Sequence, residues 1–152
     1  MRIALSSILV VCLLALAGCS GRDPVRDFNS SVVTLPGGQK ITAEVMRNDA
    51  DMMRGMMFRD SIEPDRGMLF IHQRPGAYTY WMYQVKIPLD IIWLDTNRRI
   101  LEISANTPPC KSTSARECPH YGGSSPEARY VLELGGGMAA KYGLGVGQQL
   151  DF

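Results

Sequence analysis

The sequence predicts a mainly β protein: a compact single-domain β-sandwich or barrel with one or two short helices. Its apolar segments are short, rich in β-branched and aromatic residues, and bounded by Gly, Pro, Asp or Asn. Only two brief stretches favour a helix, and the chain shows no internal repeat. Many short strands with few helices are typical of a sandwich or a barrel.

Eight segments are predicted strands because each is short, apolar and flanked by turn-forming residues. In chain order they are residues 31–35, 40–46, 67–71, 77–83, 89–94, 99–104, 129–134 and 148–152. Pro-Gly-Gly at 36–38 joins the first two as a hairpin, and a tight turn at 95–97 joins the fifth to the sixth. Residues 104–128 show no periodicity, and a loop of this length is usually functional or mobile.

Two short helices are predicted between these strands. Asn48 or Asp49 can N-cap the first, which runs to Arg54 and ends at a C-cap on Gly55. Residues 137–143 are expected to form one or two further helical turns.

The N-terminus resembles a bacterial lipoprotein signal. Arg2 precedes an apolar run at 3–16, which is shorter than the roughly 20 residues that span a bilayer. The run ends in Leu-Ala-Gly-Cys, in the order of a lipobox, so we expect cleavage after residue 18 and lipidation of Cys19. The alternative is an ordinary signal peptide with an incidental cysteine.

The mature chain is therefore expected at the cell envelope, held to the membrane by a lipid anchor. Residues 19–31 are predicted to be a polar tether, and residues 32–152 a single domain. Ser20 follows the lipidated cysteine, where Asp usually retains lipoproteins in the inner membrane. The expected location is therefore the outer membrane, facing the periplasm.

The charge balance argues against a nucleic-acid partner. The chain has 16 Lys and Arg against 15 Asp and Glu. Cleavage of the predicted signal would remove only one of these charged residues, Arg2. A protein that binds nucleic acid would carry an excess of basic residues on one face. We therefore expect no nucleic-acid partner.

Several short motifs, in their order and spacing, resemble the bacterial and archaeal family called domain of unknown function 192. They are Arg-Gly-Met-Met-Phe-Arg at 54–59, Asp-x-Gly-Met-Leu-Phe at 65–70, Trp-Met at 81–82, Pro-Leu-Asp-Ile-Ile at 88–92, Val-Leu-Glu-Leu at 131–134 and Gly-Leu-x-x-Gly at 143–147. The resemblance covers residues 32–152 and implies a compact, mainly β domain without an established reaction. The family's usual Lys-Asn-Thr after Trp-Met is here Tyr-Gln-Val.

Four methionines crowd the stretch 51–60, as the pairs Met52-Met53 and Met56-Met57. Thioether sulfur is a soft ligand that favours Cu(I), but methionine also fills irregular cores. Because Gly55 is expected to end the helix between the pairs, four sulfurs on one face are not expected. The sequence therefore favours core packing, with no metal, no cofactor and no tight binding of Cu(I).

Cys110 and Cys118 fall in the exported part of the chain, where a disulfide is the default. The alternative is a metal site that adds His120, but the spacing of the cysteines is not one that zinc sites use. Cys12 leaves with the signal.

Polar and aromatic residues within the motifs are the remaining candidates for a ligand-binding or structural cluster. They are Arg54, Arg59, Asp65, Trp81, Asp90 and Glu133. Strand alternation places Asp90 among large apolar residues, where a carboxylate is costly unless paired. We expect a structural Arg–Asp pair there. The alternatives are a polar ligand site or an acid–base pair for hydrolysis.

These features favour a binding or accessory module over an enzyme. We expect it to recognise a small polar or carbohydrate-like ligand, or an envelope protein. Trp81 shares a strand face with Tyr83 and could form a stacking platform, although strand aromatics usually pack in a core. The alternatives are a carboxylate-dependent hydrolase and a purely structural lipoprotein. No nucleophile motif accompanies His72 or His120.

Overall fold

The computed structural model describes residues 29–152. The predicted signal, Cys19 and most of the predicted tether lie outside the described residues. The strands are β1 (Ser30–Thr34), β2 (Lys40–Met46), β3 (Arg66–Gly76), β4 (Thr79–Trp81), β5 (Leu89–Leu94), β6 (Ile100–Thr107), β7 (His120–Gly122) and β8 (Ala128–Gly135). The helices are α1 (Asp49–Arg54), a 3₁₀ turn (Ala115–Glu117) and α2 (Met138–Lys141). Ser30 and Ser31, placed in the tether from the sequence, begin β1.

Six strands form one mixed sheet in the order β1-β2-β3-β8-β5-β6, and β4 pairs with β7 in a separate two-stranded sheet. All neighbours are antiparallel except β2 and β3, which are parallel. A parallel pair needs a crossover connection, and here the crossover contains α1 and the methionine stretch. The mainly β fold class is therefore confirmed.

The C-terminal segment joins the two edges of the large sheet. Asp151 bridges Thr34 of β1, and Gln149 bridges Arg99 beside β6. The sheet therefore curls into a barrel that this segment closes at one end. The predicted last strand lies in this place, but it makes isolated bridges instead of a continuous ladder.

Two apolar clusters pack on opposite faces of the sheet, and the fully buried β5 contributes to both. Ile92 and Leu94 belong to the cluster inside the barrel. Leu89, Ile91 and Trp93 belong to the other cluster, as strand alternation predicts. No helix within residues 29–152 is long and apolar enough to cross a membrane.

The small β4-β7 sheet covers the second cluster. A Cβ added to Gly122 of β7 would lie 2.1 Å from the Trp93 ring, so only glycine allows the two layers to approach this closely. The Trp93 indole N–H donates to the backbone carbonyl of Tyr78 at 2.8 Å. These contacts hold the small sheet against the large one.

The loop at 104–128 is more ordered than its composition indicates, because it contains β7 and the 3₁₀ turn. The predicted disulfide is confirmed: Cys110 and Cys118 are joined, with their Cα atoms 5.6 Å apart. The predicted strand at 77–83 is shorter than expected. Its chain turns after Trp81, and Gln84 adopts a φ of 55°.

Candidate functional site

A cavity of about 390 Å³ lies between the methionine stretch and the aromatic face of β3 and β4. Its apolar lining is Met52, Met53, Met56, Met57, Phe70, Tyr78, Tyr80, Trp81 and Val85, and its polar lining includes Asp49, Arg54, His72, Thr79, His120 and Glu133. The cavity therefore combines many apolar walls with a few polar groups, as ligand sites do.

The two methionine pairs reach this cavity because of how α1 begins and ends. The Asn48 side chain accepts a hydrogen bond from the backbone N–H of Asp51 at 2.9 Å, which caps the N-terminus. Gly55 ends the helix with a φ of 43°, and a Cβ on it would lie 3.3 Å from the Phe70 ring. The helix ends where the sequence predicts, yet all four methionines line one cavity.

The aromatic wall is held by contacts between rings. Tyr80 meets Phe70 edge to face at 5.1 Å, and His72 stacks on Tyr78 at 3.5 Å. The His72 Nε2 lies 3.1 Å from the Tyr80 hydroxyl. Burial lowers the pKa of His72 to about 4 and raises the pKa of Tyr80. Both side chains are therefore neutral at neutral pH.

Glu133 supplies a buried carboxyl group to the cavity. It lies on β8 between Met68 and Ile91 of the neighbouring strands and is 4% exposed. Its Oε2 has no hydrogen-bond partner within the described part of the chain. Burial raises the pKa of Glu133 to about 8, against the opposing charge of Arg59. The group is therefore mainly a neutral carboxylic acid at pH 7 and can both donate and accept a hydrogen bond.

Trp81 and His120 lie opposite each other in the β4-β7 sheet and both line the cavity. Their rings are 5.9 Å apart, and the His120 Nδ1 is 3.3 Å from the Thr79 hydroxyl. Trp81 also lies 6.0 Å from Tyr83, but Tyr83 lies in the turn after β4, so the two rings do not share a strand face as predicted.

The predicted cluster of polar residues is divided by the fold. Arg54, Trp81 and Glu133 line the cavity. Arg59 instead makes two hydrogen bonds to Glu44, at 2.6 and 2.7 Å, beside a second cavity of about 340 Å³. Arg54 lines both cavities. The hydrogen-bonded Arg59 lowers the pKa of Glu44.

Asp65 and Asp90 lie away from the cavity. Asp65 is exposed, and its backbone carbonyl accepts from Thr42 at 2.9 Å. The prediction that Asp90 pairs with an arginine is wrong. The carboxylate is fully buried and accepts from the backbone N–H groups of Asn106, Gly137 and Ala139 at 2.6, 3.1 and 2.6 Å. Three N–H donors satisfy the charge without a side-chain cation.

Most residues of the cavity lining were missed as site candidates, Phe70 and His72 among them. Phe70 and His72 are two apart on β3, so they share a strand face. In the sequence His72 has no nucleophile or metal ligand near it, so it was not considered. Strand alternation, which puts His72 on the same face as Phe70, was the signal that could have identified it.

The chain matches known proteins over almost all of the described residues. The family model of DUF192, described as "Uncharacterized ACR", matches residues 32–152. A protein of unknown function from Novosphingobium aromaticivorans DSM 12444 is similar in structure, with 30% identity, a TM-score of 0.74, and coverage of 85% of this chain and 89% of that chain. A Sinorhizobium meliloti 1021 protein, named provisionally as a transcription regulator, shows 25% identity, a TM-score of 0.66, and coverage of 81% and 95%. No curated protein matches the chain.

Proposed function

Because the chain belongs to the uncharacterised DUF192 family, we propose its function from the geometry of the methionine-aromatic cavity. The protein is a binding module for a small, mainly apolar or aromatic ligand that carries one or two neutral polar groups. The observation that carries this proposal is the buried Oε2 of Glu133, which has no hydrogen-bond partner among residues 29–152 and lies at an apolar cavity.

An unpartnered buried polar group has a cost that a ligand can remove. Leaving such a group without a hydrogen bond costs about 1–3 kcal/mol. A ligand with a carbonyl, amide or hydroxyl group in reach of Glu133 would provide the missing bond. The protein is thus less stable with the cavity empty than with a ligand bound to Glu133, which favours a binding role over a purely structural one.

The size and lining of the cavity narrow the class of ligand. Its volume of about 390 Å³ lies in the usual range of roughly 300–1,000 Å³ for small-molecule sites. Trp81 and Tyr80 offer aromatic surface, and the methionines offer adaptable apolar surface. Apolar and aromatic side chains make up most of the lining, whereas a carbohydrate presents mainly hydroxyl groups. We therefore favour an aromatic or aliphatic ligand over the carbohydrate-like one expected from the sequence.

A carboxylate-dependent hydrolase is supported less well. A neutral Glu133 could act as a general acid, but such a mechanism needs a second carboxylate facing the substrate. Among the described residues, Asp49 on α1 is the other carboxylate lining this cavity, but it is exposed to solvent, unlike the buried Glu133. Glu44 is engaged by Arg59 beside the second cavity.

We place this binding module at the cell envelope. Lipidation of Cys19 would tether residues 32–152 to the outer membrane, with the cavity facing the periplasm. The support for this placement is the lipobox order of residues 16–19 and a disulfide, which is stable in an oxidising compartment. A partner in the envelope would deliver or receive the ligand.

A thermal-shift screen tests the binding proposal. The screened classes are aromatic amides, phenols, aliphatic amides and sugars, each measured against the unliganded protein. We expect a shift of several degrees from one aromatic or aliphatic class, retained in Glu133→Gln and lost in Glu133→Leu. The glutamine variant is the matched control, because it keeps a neutral hydrogen-bonding group. Turnover of a glycoside or ester panel would instead favour the hydrolase, and no shift from any class would favour a structural role.

A further inference from the structure

In contrast to the core packing without a metal that the sequence favours, we propose that the same cavity contains a site for a soft monovalent metal ion, Cu(I) by preference, held by methionine thioethers and a histidine nitrogen. This inference goes beyond the binding of an organic ligand. It rests on the placement of six side chains with soft or borderline donor atoms around one cavity: Met52, Met53, Met56, Met57, His72 and His120.

The methionine wall runs from the solvent to the interior. Met53 is 61% exposed, whereas Met56 is 2% exposed, and both line the cavity. Met52 and Met57 are half-buried and pack against the apolar cluster that contains Met56. An ion can therefore meet a thioether at the surface and pass to less exposed sulfurs, which gives the site an entry path.

Gly55 allows both methionine pairs to line the same cavity. Its positive φ turns the chain sharply after Arg54, and its lack of a Cβ lets the turn rest on the Phe70 ring. The turn is fixed further by a 2.9 Å hydrogen bond from the Phe58 N–H to the Gln84 carbonyl. The backbone that carries the donors is therefore held before an ion arrives, which reduces the entropy lost on binding.

Each histidine has one ring nitrogen engaged and one ring nitrogen for which the described residues show no hydrogen bond. The Nε2 of His72 contacts the Tyr80 hydroxyl, which leaves Nδ1. The Nδ1 of His120 contacts Thr79, which leaves Nε2. Metal-bound histidines commonly have their other nitrogen held by a hydrogen bond in this way.

The surroundings favour a soft cation over a hard one. Trp81 lies beside His120 and presents an aromatic ring to the cavity, which can stabilise a cation. Calcium and magnesium require several oxygen ligands, and no group of three or more His, Cys, Asp or Glu residues suited to a metal ion occurs in residues 29–152. Both described cysteines are consumed by the disulfide. Thioether and imidazole donors select Cu(I) under these conditions.

Metal titration tests this site directly. The protein is the full chain with Cys12→Ser and Cys19→Ser, so that neither thiol competes, and with the disulfide intact. Ag(I), a redox-inert probe of the same softness, is titrated by calorimetry, and Cu(I) is titrated against bicinchoninate with ascorbate. We expect one ion per chain. Met52→Leu combined with Met57→Leu should weaken binding at least about tenfold. Removing a residue that only supports a metal ligand already weakens binding by about 10–100-fold, and removing a ligand itself should cost no less.

Met138→Leu is the matched control. Met138 packs against the apolar cluster on the other face of the sheet and does not line the cavity, so this variant should bind as the parent does. Leucine conserves apolar volume, and unfolding midpoints verify that the variants fold. Absence of stoichiometric binding, equal loss in Met138→Leu, or Zn(II) binding as tight as Ag(I) would each overturn the proposal. The titration uses no organic ligand, so its outcome is independent of the small-ligand screen.

Discussion

The carboxylate of Asp90, in the central strand β5, accepts a 2.6 Å hydrogen bond from the backbone N–H of Ala139, in the first turn of α2. It also accepts from the N–H of Gly137, the N-cap residue, which has no side chain to cap the helix itself. Asp90 thus caps a helix that lies 47 residues further along the chain. A third bond, from the N–H of Asn106, fixes the end of β6 to the same carboxylate.

Asp90→Asn should lower the free energy of unfolding by about 2–3 kcal/mol. The amide keeps one acceptor oxygen but turns an NH₂ group toward a backbone donor, and bonds to a charged acceptor are worth more than neutral ones. Denaturant unfolding at neutral pH with the disulfide intact gives the value. Asp151→Asn is the control, because that carboxylate is 83% exposed and its salt bridge to Arg98 should contribute little. An unchanged unfolding midpoint for Asp90→Asn would show that the charge of Asp90 does not stabilise the fold.

The sequence could predict the features of this fold that depend on local pattern. The alternation in β5 placed Asp90 and Ile92 on one face, and turn residues marked the hairpin between β1 and β2. The caps of α1 were also local, since Asn48 and Gly55 flank the helix directly. The disulfide was predicted from the expected oxidising compartment and from the two cysteines of the expected mature domain.

The cavity could not be predicted in this way because distant segments build it. The contact between Gly55 and Phe70 brings the methionine turn onto β3, and no local pattern encodes that approach. The partners of Asp90 were missed for a related reason. Backbone N–H groups have no signature in sequence, so a buried carboxylate suggested an arginine. β7 was missed because three residues are too few to show alternation.

Replacing Cys110 and Cys118 with alanine should destabilise the protein by at most about 3 kcal/mol. The disulfide closes a short ring, with a sequence separation of 8, and short rings restrict the unfolded chain less than long ones. Denaturant unfolding of the double variant against the parent measures the loss. Because the Cys110 N–H also donates to Met82 at 3.1 Å, hydrogen exchange should quicken first around 104–128. A loss well above the ring estimate would show that the bridge supports the main sheet.

Cys19→Ser should abolish lipidation and leave the protein uncleaved or soluble. A serine hydroxyl cannot receive the thioether-linked lipid, so the anchor is lost while residues 32–152 still fold. Metabolic labelling with a fatty acid and membrane fractionation measure the two effects. Cys12→Ser is the matched control, since that residue lies within the predicted signal, and it should leave both unchanged. Acyl label on the Cys19→Ser variant would refute the lipobox interpretation.

Three titratable groups near the two cavities make stability depend on pH in different windows. The pKa of Glu133 is raised from 4.5 to about 8, so its stabilising contribution is full below 4.5 and is lost as pH rises through 8. The pKa of His72 is lowered from 6.5 to about 4, so its contribution is present above 6.5 and is lost as pH falls through 4. The pKa of Glu44 is lowered from 4.5 by Arg59, and its contribution is lost only in acid.

Between pH 6.5 and 8, therefore, Glu133 alone among these three groups should change the stability. Raising the pH across that window should cost the parent about 1–2 kcal/mol, since each pH unit in which only the folded state holds the proton is worth about 1.4 kcal/mol. Glu133→Gln carries no titrating proton at this position. Its unfolding free energy should therefore stay nearly constant across this pH window, while the parent's falls. Denaturant unfolding of both proteins at a series of pH values provides the comparison. Parallel profiles for parent and variant would show that Glu133 is already ionised in the folded protein at neutral pH, and that the cavity offers its ligand a carboxylate instead of a neutral acid.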